Sequence, residues 1–217
     1  MIIVLEGPDG AGKSTQIQLL ITHFTQLGYH CHFTHFPRLQ ETPFGPLIKS
    51  YLQGEFGALD EVSPYLIAPL YAQDQYLATR DQWPQKPKSM IFLDRYYYSN
   101  IAYQSTRFDN EQEKNKFRLW LCGLIETLNM PKADLALYLH TPQNFRSKNL
   151  KERVQSDIHE ENTIYQEKVH SEYLAMCAQN WHHLQEINCA DEQGYMQDEQ
   201  SIHKKILSLL NEHIKLN

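Results

Sequence analysis

A chain of 217 residues, 41% hydrophobic and 21% charged, has the size of one domain and enough apolar residues to bury a core of its own. Its 20 Lys and Arg against 26 Asp and Glu leave a formal charge of −6, which argues against a nucleic-acid groove as the main surface but not against a small anionic ligand. Cys31, Cys122, Cys177 and Cys189 form no CxxC pair, no stretch approaches the ~18 apolar residues of a membrane span, and MIIVLEGPDG is no signal peptide, so a reduced, cytoplasmic protein is expected.

Residues 2–6 are an apolar, β-branched run of strand length that ends in Gly-Pro-Asp-Gly, a tight-loop signal. From Lys13, Ile17, Leu19, Leu20, Phe24 and Leu27 recur at helical spacing until Gly28. Residues 30–36 predict a second strand closed by Pro37; the alternation in HCHFTHF reads as a half-buried strand, which makes His30, His32 and His35 exposed strand histidines rather than metal ligands. Helices are predicted over 43–52 and 64–83. Met90 to Leu93 is a continuous apolar run ending in Asp94, as in a strand buried on both faces with its carboxyl end at a site. A helix follows Arg95, another spans 117–128, and 135–139 is a fourth strand. Thr141-Pro142 opens a segment leading into RSKNLKER at 146–153, the most basic stretch. Ile164, Tyr165, Val169, Tyr173, Leu174 and Cys177 then mark a long helix, 184–187 a fifth strand, and Ile202, Ile206, Leu209 and Leu210 a terminal helix. Strands alternating with helices predict a five-stranded parallel sheet flanked by helices, in one α/β domain over 1–217.

GPDGAGKS at 7–14 matches the GxxxxGK(S/T) phosphate loop in full, between a buried strand and a helix, where the mechanism needs it. The loop glycines let backbone N–H groups turn in on phosphate oxygens, Lys13 reaches the β- and γ-phosphates, and the Ser14 hydroxyl is placed for magnesium. Gly7, Pro8, Asp9, Gly10, Ala11, Gly12, Lys13, Ser14 and Thr15 are thus the expected ATP-binding residues. Asp94 has the position of a second magnesium-side carboxylate, a role compatible with capping the next helix. Arg95 projects into the same crevice, where a guanidinium binds phosphate bidentately. No guanine-reading NKxD string is present and the chain is short for a motor ATPase. A small-molecule kinase is the natural reading, on a three-layer P-loop NTPase fold with a small lid over residues 143–160.

These motifs and those that follow them resemble the thymidylate kinases (dTMP kinases) over almost the whole chain. The resemblance rests on LEGPDGAGKSTQ at 5–16, FPR at 36–38 with TPFGPLIKSYLQGEFG after it, LYAQDQ at 70–75, DRYYYSNIAYQ at 94–104 and DIHEENTIYQEKV at 157–169. It implies a magnesium-dependent transfer of the ATP γ-phosphate to dTMP, giving dTDP for dTTP synthesis, and a homodimer. Position by position it implies that Asp9 bonds the acceptor 3′-hydroxyl, that Arg38, after Phe36 and Pro37, holds the acceptor phosphate, and that Arg95 bridges both phosphoryl groups. Tyr71 matches the aromatic that stacks on thymine, although a buried helix aromatic explains it equally well. Ser99, Tyr103 and Gln104 match the base and sugar pocket, and Arg146 the arginine on the donor adenine.

Two positions depart from the family pattern. The stretch at 70–75 usually ends in arginine, whereas Gln75 keeps hydrogen-bonding capacity at the base without the charge; Arg80, more than one helical turn further on, is at best a partial substitute. Gly10 replaces an arginine found in some members, and members with glycine there draw the cation from the lid, which makes Arg153 or Lys151 the expected catalytic lid residue unless both are simply a solvated basic face. A monophosphate acceptor, with a second pKa of about 6, needs no general base. Catalysis then reduces to aligning phosphoryl groups and neutralising charge with Lys13, Arg95, magnesium and the lid cation. Two other readings stay open: a nucleoside kinase with Asp94 or Asp9 as base, and a nucleotide-binding module without turnover, favoured only by Gln75.

Overall fold

A computed structural model of the chain describes residues 1–81, 83, 87–142, 145, 159 and 163–216. Arg146, Lys151, Arg153 and all of the expected lid except Phe145 and His159 lie outside the described residues. The sheet holds five parallel strands, β1 (Ile2–Glu6), β2 (His30–His35), β3 (Ser89–Asp94), β4 (Leu135–His140) and β5 (Leu184–Asn188), in the order β2-β3-β1-β4-β5. Their alternating side chains feed two separate cores, because each strand face meets a different helix layer. Ile3, Leu5, Phe92 and Leu137 pack with Ile17, Leu20 and Phe24 of α1 (Lys13–Gln26) and with Ile202, Ile206 and Leu210 of the terminal helix Glu199–Leu216. Val4, Ile91, Leu93 and Tyr138 pack on the opposite face with Tyr97 and Ile101 of helix Tyr97–Ser105, Phe117 and Leu121 of helix Glu111–Thr127, and Val169 and Tyr173 of helix Thr163–Ala178. The result is the three-layer α/β arrangement that the alternating pattern predicts.

In chain order the helices are α1, α2 (Gly45–Leu52), α3 (Pro64–Asp81), α4 (Tyr97–Ser105), α5 (Glu111–Thr127), α6 (Thr163–Ala178) and α7 (Glu199–Leu216). The expected helix over 117–128 in fact starts at Glu111, because the Asn110 side chain accepts the Glu113 N–H at 2.8 Å and nucleates a first turn that carries no apolar residue to betray it. The helix expected from Pro43 starts at Gly45, and the second strand stops one residue short, at His35. β2 is also less regular than its alternation predicts: it is an edge strand, and Phe33 is 48% exposed while Thr34 is buried.

Register decides what meets at the carboxyl edge. Leu5 pairs with Asp94 across β1 and β3, and His35 pairs with Asp94 across β2 and β3. Glu6, His35, Asp94 and Arg95, distant in sequence, therefore arrive together beneath the phosphate loop, at the end of the sheet where α/β proteins bind ligands.

Candidate active site

The phosphate loop grows out of β1. Gly7 has φ 145°, and a Cβ there would sit 3.1 Å from the Leu139 carbonyl; Gly12, at φ 85°, is the N-cap of α1. Lys13 opens the helix and curls back under the loop, its Nζ donating to the carbonyls of Gly7 (3.1 Å) and Pro8 (3.0 Å). The ammonium lies 3.7 Å from Asp9 Oδ1 and 3.8 Å from Asp94 Oδ1. Burial, then the nearby Arg95 charge, lowers the Lys13 pKa despite Asp9, Asp94 and Glu6. Ser14 is exposed at the loop mouth.

Across the crevice, Arg95 adopts φ 67°, a left-handed backbone that costs a bulky side chain about 1–3 kcal/mol. Its N–H donates to Leu5 O at 2.9 Å, and its Nη2 donates to Asp9 Oδ1 at 3.2 Å. The guanidinium also lies 5.5 Å over the Tyr103 ring. Arg95 Nη1 is buried without a hydrogen-bond partner, as is Asp94 Oδ1. An orphaned buried donor in a guanidinium fits an anionic oxygen, and an orphaned carboxylate oxygen fits a cation. The other Asp94 oxygen lies 3.2 Å from His35 Nδ1. Burial alone raises the Asp94 pKa, but the His35 hydrogen bond and the Lys13 and Arg95 charges outweigh it and hold the carboxyl below its usual range. His35 is an exposed strand histidine, as the alternation predicts, that also reaches the site; only strand register, which alternation does not reveal, brings it beside Asp94.

Between α3, α4 and the end of β2 lies a cleft of about 290 Å³, and Asp9, Phe36, Tyr71, Gln75, Arg95, Ser99, Tyr103 and Gln104 all line it, as the sequence predicts. Gln75 is 1% exposed and its Oε1 has no hydrogen-bond partner. Tyr71 both faces this cleft and packs on the small core of Tyr51, Val62 and Ile67. Arg38 is not on the cleft wall: it is buried against Asp74, which accepts its backbone N–H at 2.9 Å and its Nε at 3.2 Å, while Nη2 donates to the Asp74 carbonyl. Arg80 is exposed on α3 and is not among the residues that line this cleft.

Several lining or supporting residues escape the sequence reading. Asn100, one of the lining residues, donates through Nδ2 to Ala68 O at 2.9 Å, and its buried Oδ1 has no hydrogen-bond partner. Arg107 Nη1 donates to Gln104 Oε1 at 3.1 Å and so commits that oxygen. His159 stacks on Tyr103 with ring centroids 5.3 Å apart; burial, assisted by Arg107 and Arg95, drops its pKa to about 3, so it is neutral at physiological pH.

Glu6 is fully buried at the end of β1. Its Oε1 accepts the Tyr96 N–H and its Oε2 accepts the Tyr173 hydroxyl, each at 2.8 Å. Burial outweighs these bonds and the Arg95 and Lys13 charges, and lifts its pKa from 4.5 to about 7. The folded chain therefore binds this proton more tightly than the unfolded chain, so the associated stability is complete below pH 4.5 and is lost as pH rises through 7. Chemical denaturation at pH 5 and pH 8 should show Glu6→Gln losing less stability over that interval than wild type, by on the order of 3 kcal/mol. Parallel pH profiles of the two proteins would contradict the assignment.

A loop built to wrap phosphates, a lysine inside it and a guanidinium facing it over a nucleotide-sized cleft together define a phosphate-loop kinase. Comparison with known proteins narrows the class. The thymidylate kinase family matches residues 5–209. A probable thymidylate kinase of Thermococcus kodakarensis is 32% identical over 219 residues, 97% of each chain, and the thymidylate kinase of Mycobacterium tuberculosis is 29% identical over 189 residues, 83% of this chain and 87% of that one. The solved thymidylate kinase of Candida albicans shares the fold, with a TM-score of 0.75 at 23% identity over 98% of this chain and 92% of that one. The chain belongs to the thymidylate kinase family.

Proposed function

We propose that this chain transfers the γ-phosphoryl group of ATP to dTMP and releases dTDP. The observation that carries this reading is the shared crevice: the phosphate loop, Asp94 and Arg95 meet at one end of a cleft whose other end offers Tyr71, Gln75, Asn100 and Gln104 to a base. Residues 7–15 bind the ATP phosphates, and Lys13 neutralises charge on them. Arg95 spans donor and acceptor phosphoryl groups through Nη1. Asp9, bonded to Arg95, is placed for the acceptor sugar, and Ser99, Tyr103 and Phe36 enclose it. The acceptor phosphate is already ionised, so Asp94 serves as no general base.

Magnesium fits the donor set. Among the described residues no group of three or more His, Cys, Asp or Glu would hold a metal unaided. Asp94 Oδ1 and the Ser14 hydroxyl would hold it jointly with the nucleotide phosphates, and when bound it neutralises β- and γ-phosphate charge. Arg146 on the adenine and Arg153 or Lys151 as the lid cation complete the proposed machinery within a single domain carrying a lid at 143–160.

A coupled ADP-release assay with magnesium and dTMP, dUMP, dGMP, dCMP, AMP or thymidine tests the assignment. Selective turnover of dTMP is expected. Turnover of thymidine in place of dTMP would indicate a nucleoside kinase, and none with any acceptor a binding module. In the same assay Arg38→Ala should raise the KM for dTMP by roughly 10- to 100-fold with a smaller change in kcat, because the resemblance assigns this cation to the acceptor phosphate, although its ion pair with Asp74 sets it behind the residues that line the cleft. An unchanged KM would remove Arg38 from the acceptor site.

We also propose a cytoplasmic homodimer formed through α3 and α5. Leu66 and Leu119 are 59% and 75% exposed there, beside the exposed ring pair Tyr65 and Trp120. No described helix is long and apolar enough to cross a membrane, and all four cysteines are free. Sedimentation of Leu66→Glu/Leu119→Glu should show a monomer at concentrations where wild type is a dimer; a dimeric double variant would move the interface elsewhere.

A further inference from the structure

Glu6 has no role in the mechanism above, yet it lies buried at the end of β1, hydrogen-bonded to the turn that carries Arg95. A carboxyl group with no access to water is costly to keep ionised, and burial raises the Glu6 pKa accordingly. A fully buried carboxyl group hydrogen-bonded to the turn that carries Arg95 is a candidate functional group. Its bonds identify the target. α4 begins at Tyr96, the N-cap, whose own side chain makes no capping bond. Glu6 Oε1 takes the Tyr96 N–H instead, the bond a glutamate in the first helical turn makes in a capping box, here supplied from β1. Tyr96 directly follows Arg95, whose left-handed backbone has to be held by its surroundings. On the other side the Arg95 N–H is tied to Leu5 O, the residue before Glu6. Tyr173 from α6 donates to Oε2 and fixes the carboxyl in turn, and it stacks flat on Tyr138 at 4.4 Å. The end of β1 thus grips the turn on both sides of Arg95.

We infer that Glu6 is a positioning residue for phosphoryl transfer: by clamping the Tyr96 N–H it sets the backbone turn that aims the Arg95 guanidinium across the cleft. The inference rests on the Arg95 role proposed above. The groups facing Glu6 are Lys13 from α1, Arg95 from the turn, Tyr97 and Tyr98 from α4, and Tyr173 from α6. None of them replaces the clamp on Tyr96.

The test compares Glu6→Met, Glu6→Gln, Arg95→Ala and the double variant Glu6→Met/Arg95→Ala. Glu6→Met keeps the length of the side chain but removes both acceptors, and its kcat should fall at least about tenfold while KM for dTMP and for ATP stays within about threefold, the signature of an interaction made in the transition state. Glu6→Gln keeps one carbonyl acceptor for the Tyr96 N–H without the charge, and should restore kcat to within about threefold of wild type. Because Glu6 acts through Arg95, the double variant should lose no more than Arg95→Ala alone. Tyr173→Phe, which removes only the bond to Oε2, should lower kcat by roughly threefold and serves if Glu6→Met fails to fold. A Glu6→Met kcat within twofold of wild type, a Glu6→Gln kcat no better than that of Glu6→Met, or losses that multiply in the double variant, overturns the inference. An Arg95→Ala enzyme that keeps its activity overturns the Arg95 reading instead, so the two failures are distinct.

Discussion

Arg95→Ala is expected to lower kcat for dTMP phosphorylation about a thousandfold while the chain remains folded. The physical basis is the placement of a charge that needs no reorganisation. The guanidinium is buried, and although burial disfavours its charge, Tyr103, Asp9, Tyr173 and Glu6 together raise its pKa well above the usual value, so it is always cationic. One nitrogen is bound to Asp9 and another is buried without a partner. A donor held ready in a low-dielectric site stabilises developing phosphoryl charge more than water does; single donors of this kind are worth about 10²–10³ in kcat, and arginines in phosphoryl transfer about 10³–10⁵. The lower range applies where other cations share the charge, as Lys13 does here. Removing Arg95 also takes away one of the cations that face the Asp9 carboxylate beside the incoming phosphates, the Lys13 ammonium at 3.7 Å being another. Steady-state kinetics with dTMP and ATP would measure the loss, and a kcat within tenfold of wild type would be incompatible with the assignment. ADP affinity, followed by titration, should change far less, because the donor phosphates are held by the loop and Lys13.

The parts of this site that could be read from the chain are those whose chemistry is local in sequence. The phosphate loop compresses its strand, glycines, lysine and hydroxyl into residues 2–14, and DRYYYSNIAYQ carries Asp94, Arg95, Ser99, Tyr103 and Gln104 on one turn and one helix. The five strands were likewise legible, since β1, β3 and β4 are buried on both faces and read as unbroken apolar runs. What could not be read is pairing over distance. His35 reaches Asp94 because of parallel register, Asp74 meets Arg38 across 36 residues, and Glu6 meets Tyr96 across 90. Periodicity reports which face a residue occupies and is silent about which partner waits there. The start of α5 was hidden for a related reason: a capping asparagine and a polar first turn carry no apolar period. Arg38 is legible only as a cation after Phe36 and Pro37, whereas its partner Asp74, inside LYAQDQ, is a pairing that spacing does not reveal.

That partnership sets the largest expected loss of stability. Asp74→Ala should destabilise the fold by about 3–5 kcal/mol, the cost of leaving a buried charge without its counter-ion. Both side chains are within 4% of complete burial, and Asp74 accepts from the Arg38 backbone, the Arg38 guanidinium and the Thr42 hydroxyl. Burial raises the Asp74 pKa even against these bonds, a sign of how strongly the surroundings resist any charge there. In a protein of this size each kcal/mol moves Tm by roughly 2–4 °C, so the melting temperature should fall by about 10 °C. Asp74→Asn, which keeps acceptors but not charge, should fall between. The decisive comparison is Asp74→Ala/Arg38→Met. If the loss comes from a stranded guanidinium rather than from lost volume, removing that guanidinium should restore much of the Tm, and the two substitutions will be strongly non-additive. Additive losses would instead assign the effect to packing between α3 and the turn that follows β2. Because the same contact orients Arg38, Asp74→Asn should also raise the KM for dTMP, which ties the stability of the acceptor side to its affinity through one ion pair.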